Sequence, residues 1–139
     1  MANSFKTALE GKDKNALIQA IPYAKMIGMQ TFENTASDYL LRPLESNLGN
    51  PTLPALHGGC IGGFMENAAI VEAIFTLELA AIPRIIDFSL DYLRPGRLQE
   101  TYARCHIVRQ GKKVVNVAIT AWQTDIESPI AKARAHLLL

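Results

Sequence analysis

The first half of the chain alternates between short apolar segments and turn-forming residues. Apolar residues recur on one face of residues 12–25, which predicts a short helix that Pro22 ends or kinks. Residues 26–33 and 36–43 have strand-like composition, and the polar stretch between them favours a β-hairpin. Residues 44–56 are rich in asparagine, glycine and proline, which is typical of a loop.

A long apolar segment begins after Leu56 and continues to about Pro83. It is apolar on almost every side, which predicts one long and largely enclosed helix. Its acidic residues Glu66, Glu72 and Glu78 are spaced six apart and therefore project from different helix faces. By pattern alone, Glu72 and Glu78 are interpreted as partly exposed helix residues.

From residue 84 onwards the hydrophobic period becomes that of a β-strand. The apolar residues Ile86, Phe88, Leu90 and Tyr92 alternate with the polar residues Asp87, Ser89 and Asp91. The strand over 84–93 is followed by predicted strands over 100–109, 113–124 and 130–139, which form an antiparallel meander by their spacing. Because the long helix has no polar face, we expect an α+β fold in which five to six antiparallel strands wrap around it.

Composition narrows the class of protein. A length of 139 residues, 49% of them hydrophobic and 19% charged, predicts a single globular domain over 1–139. A net charge of +1 argues against a nucleic-acid partner. Cys60 and Cys105 lie in apolar contexts, which favours reduced core thiols, and no spacing indicates a metal site. The start of the chain lacks the signal-peptide pattern and no segment predicts a membrane span, so we expect a cytoplasmic protein.

The segment with the clearest chemistry is Leu56-His57-Gly58-Gly59 at the start of the long helix. Glycines allow backbone N–H groups to approach a bound carbonyl closely, and a helix start adds unpaired N–H donors. Such a position suits a developing oxyanion, while Glu66 supplies a carboxylate two turns later in an apolar setting. This combination predicts acyl transfer, with His57 shaping the turn rather than acting as a base.

Basic residues are concentrated after the strand over 84–93. Within twenty positions that hold one acid, Glu100, lie Arg94, Arg97, Arg104, Arg109, Lys112 and Lys113. A solvated sheet edge would explain them, since charged side chains discourage unwanted strand pairing. The alternative is a seat for phosphates, in which the turns at Gly96 and Gly111 bring backbone N–H groups close and meet near one cleft. Coenzyme A, with its diphosphate and 3′-phosphate, would suit such a seat.

Four motifs together resemble one family. They are Leu56-His-Gly-Gly, Glu66 nine residues after His57, Asp91-Tyr-Leu-Arg-Pro-Gly-Arg, and Val108-Arg-Gln-Gly-Lys-Lys. In combination they resemble the hotdog-fold acyl-CoA thioesterases, and within them the phenylacetate-pathway (PaaI-like) group. The resemblance covers the chain from about residue 15 to the C-terminus. It implies a hotdog fold and hydrolysis of a small or medium acyl- or aryl-CoA thioester.

The resemblance also implies roles for individual residues. Glu66 matches the carboxylate that serves as nucleophile or general base, and the N–H of Gly58 matches the donor to the thioester oxygen. Many relatives carry an asparagine six residues before the histidine, and the nearest counterpart here is Asn50, seven before His57. A homodimer is implied, often paired into a homotetramer, with active sites between protomers. Coenzyme A would be part of the substrate, so no cofactor is expected.

Other functions are compatible with parts of the pattern. A hotdog dehydratase or hydratase would use a histidine paired with an acid in motifs that this chain lacks. A non-catalytic acyl-CoA binding protein would use Glu66 only as polar lining. The basic residues would also suit an acidic acyl carrier protein, which bears the same phosphopantetheine arm. Phe64, Met65 and Phe88 are candidates for an acyl pocket or for plain core, so the acyl group stays open.

Overall fold

A computed structural model describes residues 2–35 and 37–139 of the chain. Its helices are α1 (Ala2–Glu10), α2 (Lys14–Ala20), α3 (Pro22–Ile27) and the long α4 (Gly58–Thr76). Its strands are β1 (Met29–Thr31), β2 (Asp38–Leu41), β3 (Leu48–Asn50), β4 (Ala55–Leu56), β5 (Arg84–Tyr92), β6 (Thr101–Gln110), β7 (Val114–Trp122) and β8 (Ala131–Leu138). A 3₁₀ turn, Glu45–Asn47, precedes β3.

One antiparallel sheet, in the order β1-β2-β6-β7-β8-β5, covers α4. Since α4 has almost no polar face, it is enclosed, and Phe64, Met65, Ala68 and Val71 are fully buried. Phe64 and Met65 are therefore core residues. The predicted α+β hotdog arrangement, with a sheet wrapped around a central helix, is confirmed. Within residues 2–35 and 37–139, every helix is too short or too polar to cross a membrane.

The predicted helix over residues 12–25 is wrong as one continuous element. Ile21 is extended, at φ −93° and ψ 109°, and Pro22 begins a second helix, α3. Proline lacks an N–H group and is well tolerated at the first position of a helix, so it separates α2 from α3 rather than merely kinking one helix. The Asp13 side chain accepts a hydrogen bond from the N–H of Ala16, which fixes the start of α2.

The predicted hairpin is present, but its strands are shorter than the pattern suggests. Gly28 adopts φ +82° and ends α3, so residues 26–27 are helical and β1 begins only at Met29. Ala36, where the second strand is predicted to begin, lies outside the described residues. The predicted loop over 44–56 contains the small β3–β4 hairpin, which the prolines and glycines of this segment obscure in the sequence.

The long helix ends at Thr76, not near Pro83. Glu78 adopts φ +52°, and the N–H of Leu79 donates to the carbonyl of Ile74 at 2.9 Å, which is the Schellman pattern of a helix end. Because a glutamate occupies the left-handed position that glycine usually takes, the sequence contains no glycine that would mark the end of the helix. Two interpretations are thereby corrected, since Glu78 lies beyond the helix and Glu72 is buried, with 5% of its surface exposed.

The four predicted strands of the second half are confirmed to within two residues at each end. One side-chain assignment is wrong. The register of β5 against β8 shifts between Ile85 and Asp87, so Ile86 sits at a bulge and is 54% exposed instead of facing inward with Phe88. As the last strand of the sheet order, β5 presents its outer edge without a partner in the part of the chain described.

Candidate active site

In the turn into α4, the backbone N–H of Gly59 is hydrogen-bonded, whereas the backbone N–H of Gly58 is not bonded to any residue that the structure describes. His57 is the N-cap of α4, and its Nδ1 accepts the N–H of Gly59 at 2.9 Å. The carbonyl of His57 accepts the N–H groups of Cys60 and Ile61. The N–H of Gly58, in contrast, has no acceptor among the described residues. Gly58 thus offers a free donor at the positive end of a helix, whereas Gly59 contributes an open surface but no spare N–H.

Two contacts hold this turn in place. The hydroxyl of Tyr92, at the end of β5, donates to the carbonyl of Gly58 at 2.6 Å. A Cβ added at Gly58 would lie 3.1 Å from that hydroxyl oxygen, so the phenol and the glycine are in close contact. On the other side, a Cβ at Gly49 would lie only 2.7 Å from the Cα of His57, so the β3–β4 hairpin packs directly behind the turn.

Asn47 is the asparagine that hydrogen-bonds to the His-Gly-Gly turn, through its backbone carbonyl. Asn47 is buried, its carbonyl accepts the N–H of His57 at 2.8 Å, and its Nδ2 donates to the carbonyl of Ile27 at 2.7 Å. Asn50 is exposed, and its Oδ1 accepts N–H groups of its own turn, from Thr52 and Leu53. The β3–β4 hairpin lies between the two residues, so Asn47 supports the His-Gly-Gly turn from ten residues upstream.

Glu66 lies in a recess of about 680 Å³ against one face of α4. The recess is lined by Tyr23, Gly59, Gly62, Gly63, Phe88 and Leu90, among others. Glu66 is half-buried, and burial raises the pKa of its carboxyl above the ordinary value. No hydrogen bond joins it to another described residue. A carboxylate of this kind is available as a base or nucleophile.

Gly58 and Glu66 of one chain do not face a common point. They are eight residues apart, which places them about 12 Å apart along the axis of α4. The N–H groups of a first helical turn point out of the N-terminal end, so an oxygen bound at Gly58 would lie still farther from Glu66. One chain therefore supplies two halves of a site rather than one complete site.

The first basic turn lies at the same end of the molecule as Gly58. The carbonyl of Gly96 accepts the N–H of Leu56 at 2.8 Å, and Arg97 forms a bridge with Ala55. Gly96 is buried, so a phosphate cannot approach its backbone from outside. The exposed side chains of Arg94 and Arg97 are the cations that this turn offers.

The second basic turn lies at the opposite end of the sheet. Arg109 and Gln110 end β6, and Gly111 donates its N–H to the carbonyl of Val114 at 2.8 Å in the turn that also holds Lys112. β6 has ten residues and separates the two turns by about 30 Å. A single chain thus does not bring Arg109, Gly111 and Lys112 together with the first basic turn at one cleft.

Comparison with protein families decides the class of protein. Residues 53–130, more than half of the chain, match the family model of the thioesterase superfamily. The chain belongs to the thioesterase superfamily. The matched segment contains the His-Gly-Gly turn, α4 with Glu66, and the strands β5 to β7. Among curated proteins, none matches the sequence significantly.

Solved structures of other proteins share the architecture of this thioesterase-superfamily chain. A Chromobacterium violaceum protein is 42% identical, with 100% of this chain and 97% of that chain covered and a TM-score of 0.78. A phenylacetic acid degradation-related protein of Ralstonia eutropha is 22% identical, covers 99% and 100%, and has a TM-score of 0.76. A Streptococcus mutans protein bound to acetyl-CoA is 19% identical, covers 80% and 80%, and has a TM-score of 0.63. The latter two, at such low identity, show the shared fold alone.

Three further residues of the site were not predicted from the sequence, and two of them, Asn47 and Tyr23, lie in no motif. Asn47 and Tyr92 support the turn, and Tyr23 of α3 lies in the recess beside Glu66. Tyr92 falls within the motif Asp91-Tyr-Leu-Arg-Pro that carries the resemblance, which was the available signal. For this superfamily member, the free N–H of Gly58 and the carboxylate of Glu66 are the groups able to polarise and attack a thioester carbonyl.

Proposed function

We propose that the protein is an acyl-CoA thioesterase whose active sites are shared between two copies of the chain. The observation that carries the proposal is that the chain offers both a Gly58 N–H without an acceptor among the described residues and a half-buried Glu66 whose pKa is raised. Membership of the thioesterase superfamily supports the reaction class. The acetyl-CoA bound to the structurally similar Streptococcus mutans protein supports a CoA ester as the substrate.

In the proposed reaction, the thioester oxygen binds the N–H of Gly58 of one copy, and Glu66 of a second copy faces the carbonyl carbon. Glu66 removes a proton from water as the water oxygen bonds to carbon, and the carbon–sulfur bond then breaks. The acyl group leaves as a carboxylic acid, and the coenzyme A thiolate takes up a proton. A direct attack by the Glu66 oxygen would instead give an anhydride that water hydrolyses.

The unpaired edge of β5 supports the homodimer. This edge strand has nine residues, and exposed apolar side chains lie along or beside it, at Ile82, Ile86, Tyr92 and Leu93. An open apolar edge of this length favours pairing with another strand. Antiparallel pairing with β5 of a second copy sets the two α4 helices in opposite directions, so that Gly58 of each approaches Glu66 of the other. The pairing of dimers into a homotetramer stays a prediction.

The basic residues would bind the phosphates of the substrate. Arg94 and Arg97 are exposed at the Gly58 end of the chain, where the coenzyme A arm would leave the thioester. In the shared site, Arg109, Gly111 and Lys112 would contribute from the second copy, whose strands run the opposite way. The same seat would accept the phosphopantetheine of an acyl carrier protein.

Hydrolysis is tested by release of free thiol from short, medium, long and aryl acyl-CoAs. Glu66→Gln should lower the turnover number by about 10²–10⁴-fold, as loss of a positioned base does. The exposed Glu78→Gln, beyond the end of α4, is the matched control and should leave turnover unchanged. Turnover by Glu66→Gln within a few-fold of the wild type would overturn the assignment. Thioester binding without thiol release would indicate an acyl-CoA binding protein, and conversion of enoyl-CoA would indicate a hydratase.

The oxyanion donor is tested by comparing Gly58→Pro with Gly58→Ala. Both variants carry the same Cβ next to Tyr92, but only proline removes the N–H, and proline is tolerated at the first position of a helix. Gly58→Pro should lower the turnover number by about 10²–10³-fold relative to Gly58→Ala. Equal turnover of the two variants would exclude Gly58 as the donor.

Sharing of the site is tested by mixing the two inactive variants. Dimers formed from Glu66→Gln and Gly58→Pro chains contain one site with both groups intact, so random mixing should restore about a quarter of wild-type activity. If each site lay within a single chain, mixing would restore none. Activity that stays absent after the chains have exchanged, as followed by size-exclusion chromatography of a tagged and an untagged chain, would therefore contradict the shared site.

A further inference from the structure

Tyr23 lies on the surface of α4 at a point where that helix has no side chain. Pro22 begins α3, and Tyr23 is the next residue of that helix. A Cβ built at Gly63 would lie 2.5 Å from Cε2 of Tyr23 and 2.8 Å from its hydroxyl oxygen. No other residue type at position 63 would therefore leave the ring where it is.

This contact places the phenol beside the carboxylate of Glu66. Gly63 is about one helical turn before Glu66, and both line the recess together with Tyr23. Burial is the largest of the effects that raise the pKa of the Tyr23 hydroxyl above its ordinary value, and the Glu66 carboxylate adds to it, so the phenol is neutral at physiological pH. Tyr23 thus presents an uncharged aromatic wall to the recess.

The recess has different chemistry at its two ends. Phe88 and Leu90 of β5 line it together with Tyr23, and Met26, also in α3, is an exposed apolar side chain with 64% of its area accessible. The cations Arg94 and Arg97 lie at the other end, beyond the start of α4. In the shared site, an acyl-CoA with its phosphates at Arg94 and Arg97 of the copy that supplies Gly58 would place its acyl group towards Tyr23 of the copy that supplies Glu66.

We infer that Tyr23, seated on Gly63, is a specificity-determining residue that limits the size of the acyl group accepted beside Glu66. The inference rests on the proposed thioesterase function and adds the residue that restricts its substrates. The ring is one of the side chains that bound the recess, with 40% of the Tyr23 surface exposed, and its hydroxyl is dispensable for this role. The wild-type protein should therefore prefer acyl groups that end before Tyr23, and removal of the ring should admit longer ones.

The test measures kcat/KM for a series of linear acyl-CoAs from acetyl to palmitoyl, with wild-type, Tyr23→Phe and Tyr23→Ala proteins. Tyr23→Ala should raise the ratio of kcat/KM for longer over shorter chains by about tenfold or more, since each ill-fitting methylene changes discrimination by that order. Most of the change should appear in KM for the longer chains. Tyr23→Phe, the matched control, should keep the wild-type profile.

A profile that Tyr23→Ala leaves unchanged, while the wild type hydrolyses thioesters, would overturn this inference alone. If the wild type neither hydrolyses nor binds any CoA ester, the proposed function fails and this inference with it. If it binds without hydrolysis, the same chain-length series is measured as Kd by calorimetry. Tyr23→Ala must then tighten binding of the longer esters selectively, and failure to do so overturns the role of Tyr23.

The contact between Tyr23 and Gly63 has its own test. Gly63→Ala improves helix propensity but places a methyl group against the Tyr23 ring. It should therefore raise Tm more in the Tyr23→Ala background than in the wild type, as expected for two residues in contact. Equal Tm shifts in the two backgrounds would show that the ring does not lie on Gly63, which removes the basis of the inference.

Discussion

Glu66 and Glu72 are two glutamates of one helix with opposite surroundings, and replacing each by glutamine should separate activity from stability. Glu72 is buried, and its carboxylate accepts hydrogen bonds from the Tyr39 hydroxyl at 2.8 Å and the Ser37 hydroxyl at 2.7 Å. The ammonium group of Lys14 lies 3.4 Å away. Glu66 has none of these partners and instead lines the recess.

The loss of stability expected on replacing Glu72 follows from the buried groups that would lose their hydrogen-bond partner. In Glu72→Ala the fully buried Tyr39 loses its acceptor, and two charge-assisted hydrogen bonds disappear, which together lower the free energy of unfolding by about 3–5 kcal/mol. Such a loss corresponds to a fall in Tm of about 6–20 °C for a domain of this size. Glu72→Gln keeps an acceptor for Tyr39 and should cost about 1 kcal/mol, the difference between a charged and a neutral hydrogen bond.

The ionised Glu66 side chain, unlike that of Glu72, lowers the free energy of unfolding. Because burial raises the pKa of the Glu66 carboxyl in the folded state, its ionised form disfavours folding at neutral pH. Glu66→Gln should therefore leave the unfolding free energy unchanged or slightly raise it, while turnover is lost. Glu72→Gln should show the opposite result, with turnover close to that of the wild type.

The assay is urea unfolding followed by far-ultraviolet circular dichroism at pH 7, at one fixed protein concentration because a dimer gains stability with concentration. The exposed Glu127→Ala serves as the surface control and should change the free energy of unfolding by less than about 0.5 kcal/mol. A change of similar size in Glu72→Ala and Glu127→Ala would refute the description of Glu72 as the centre of a buried polar cluster.

Three further predictions concern other contacts. Tyr92→Phe removes the 2.6 Å hydrogen bond to the carbonyl of Gly58. This variant should lower kcat by up to about tenfold with little effect on KM. An unchanged kcat would show that the hydrogen bond is dispensable. Burial, the largest single effect, would raise the pKa of Asp38, but hydrogen bonds from Arg104, Thr35 and Asn34 together with the Arg104 charge outweigh it and lower that pKa. The contribution of Asp38 to stability is therefore present above about pH 4 and is lost as acid titrates the native carboxylate. In acid unfolding, Arg104→Met should therefore begin to unfold at higher pH than the wild type, and coincident curves would contradict this pairing. Burial raises the pKa of Cys60 to about 11, so at pH 8 a thiol-reactive dye should label it only after unfolding, and rapid labelling of the native protein would contradict its burial.

The architecture was predictable because it depends on periodicity over long segments. The change from a helix without a polar face to alternating strands after residue 84 fixes the order of α4 and β5 to β8. The end of α4 was not predictable, since Glu78 takes the left-handed conformation that glycine usually marks. The burial of Glu72 was likewise hidden, because its partners Tyr39 and Ser37 are more than thirty residues away in the chain.

The candidate site was predictable only where its residues are adjacent in sequence. His57, Gly58 and Glu66 lie on one continuous turn and helix, and their spacing alone suggests a site. The sequence pattern indicates Asn50, whereas the asparagine that hydrogen-bonds to His57 is Asn47, which lies before the β3–β4 hairpin. A role for Asn50 stays a prediction. Tyr23 reaches the recess from a separate helix, and no local pattern connects such distant residues.

The glycines at the start of α4 have a consequence for how the protein folds. Gly58, Gly59, Gly62 and Gly63 are four of the first six residues of the helix, and each lowers helix propensity by about 1 kcal/mol relative to alanine. The first turns of α4 are therefore not stable on their own and should become helical only after the sheet and α3 have docked. Amide hydrogen exchange should accordingly be faster over residues 58–63 than over 68–74, so that the His-Gly-Gly turn is the last part of the helix to be acquired and the first to open.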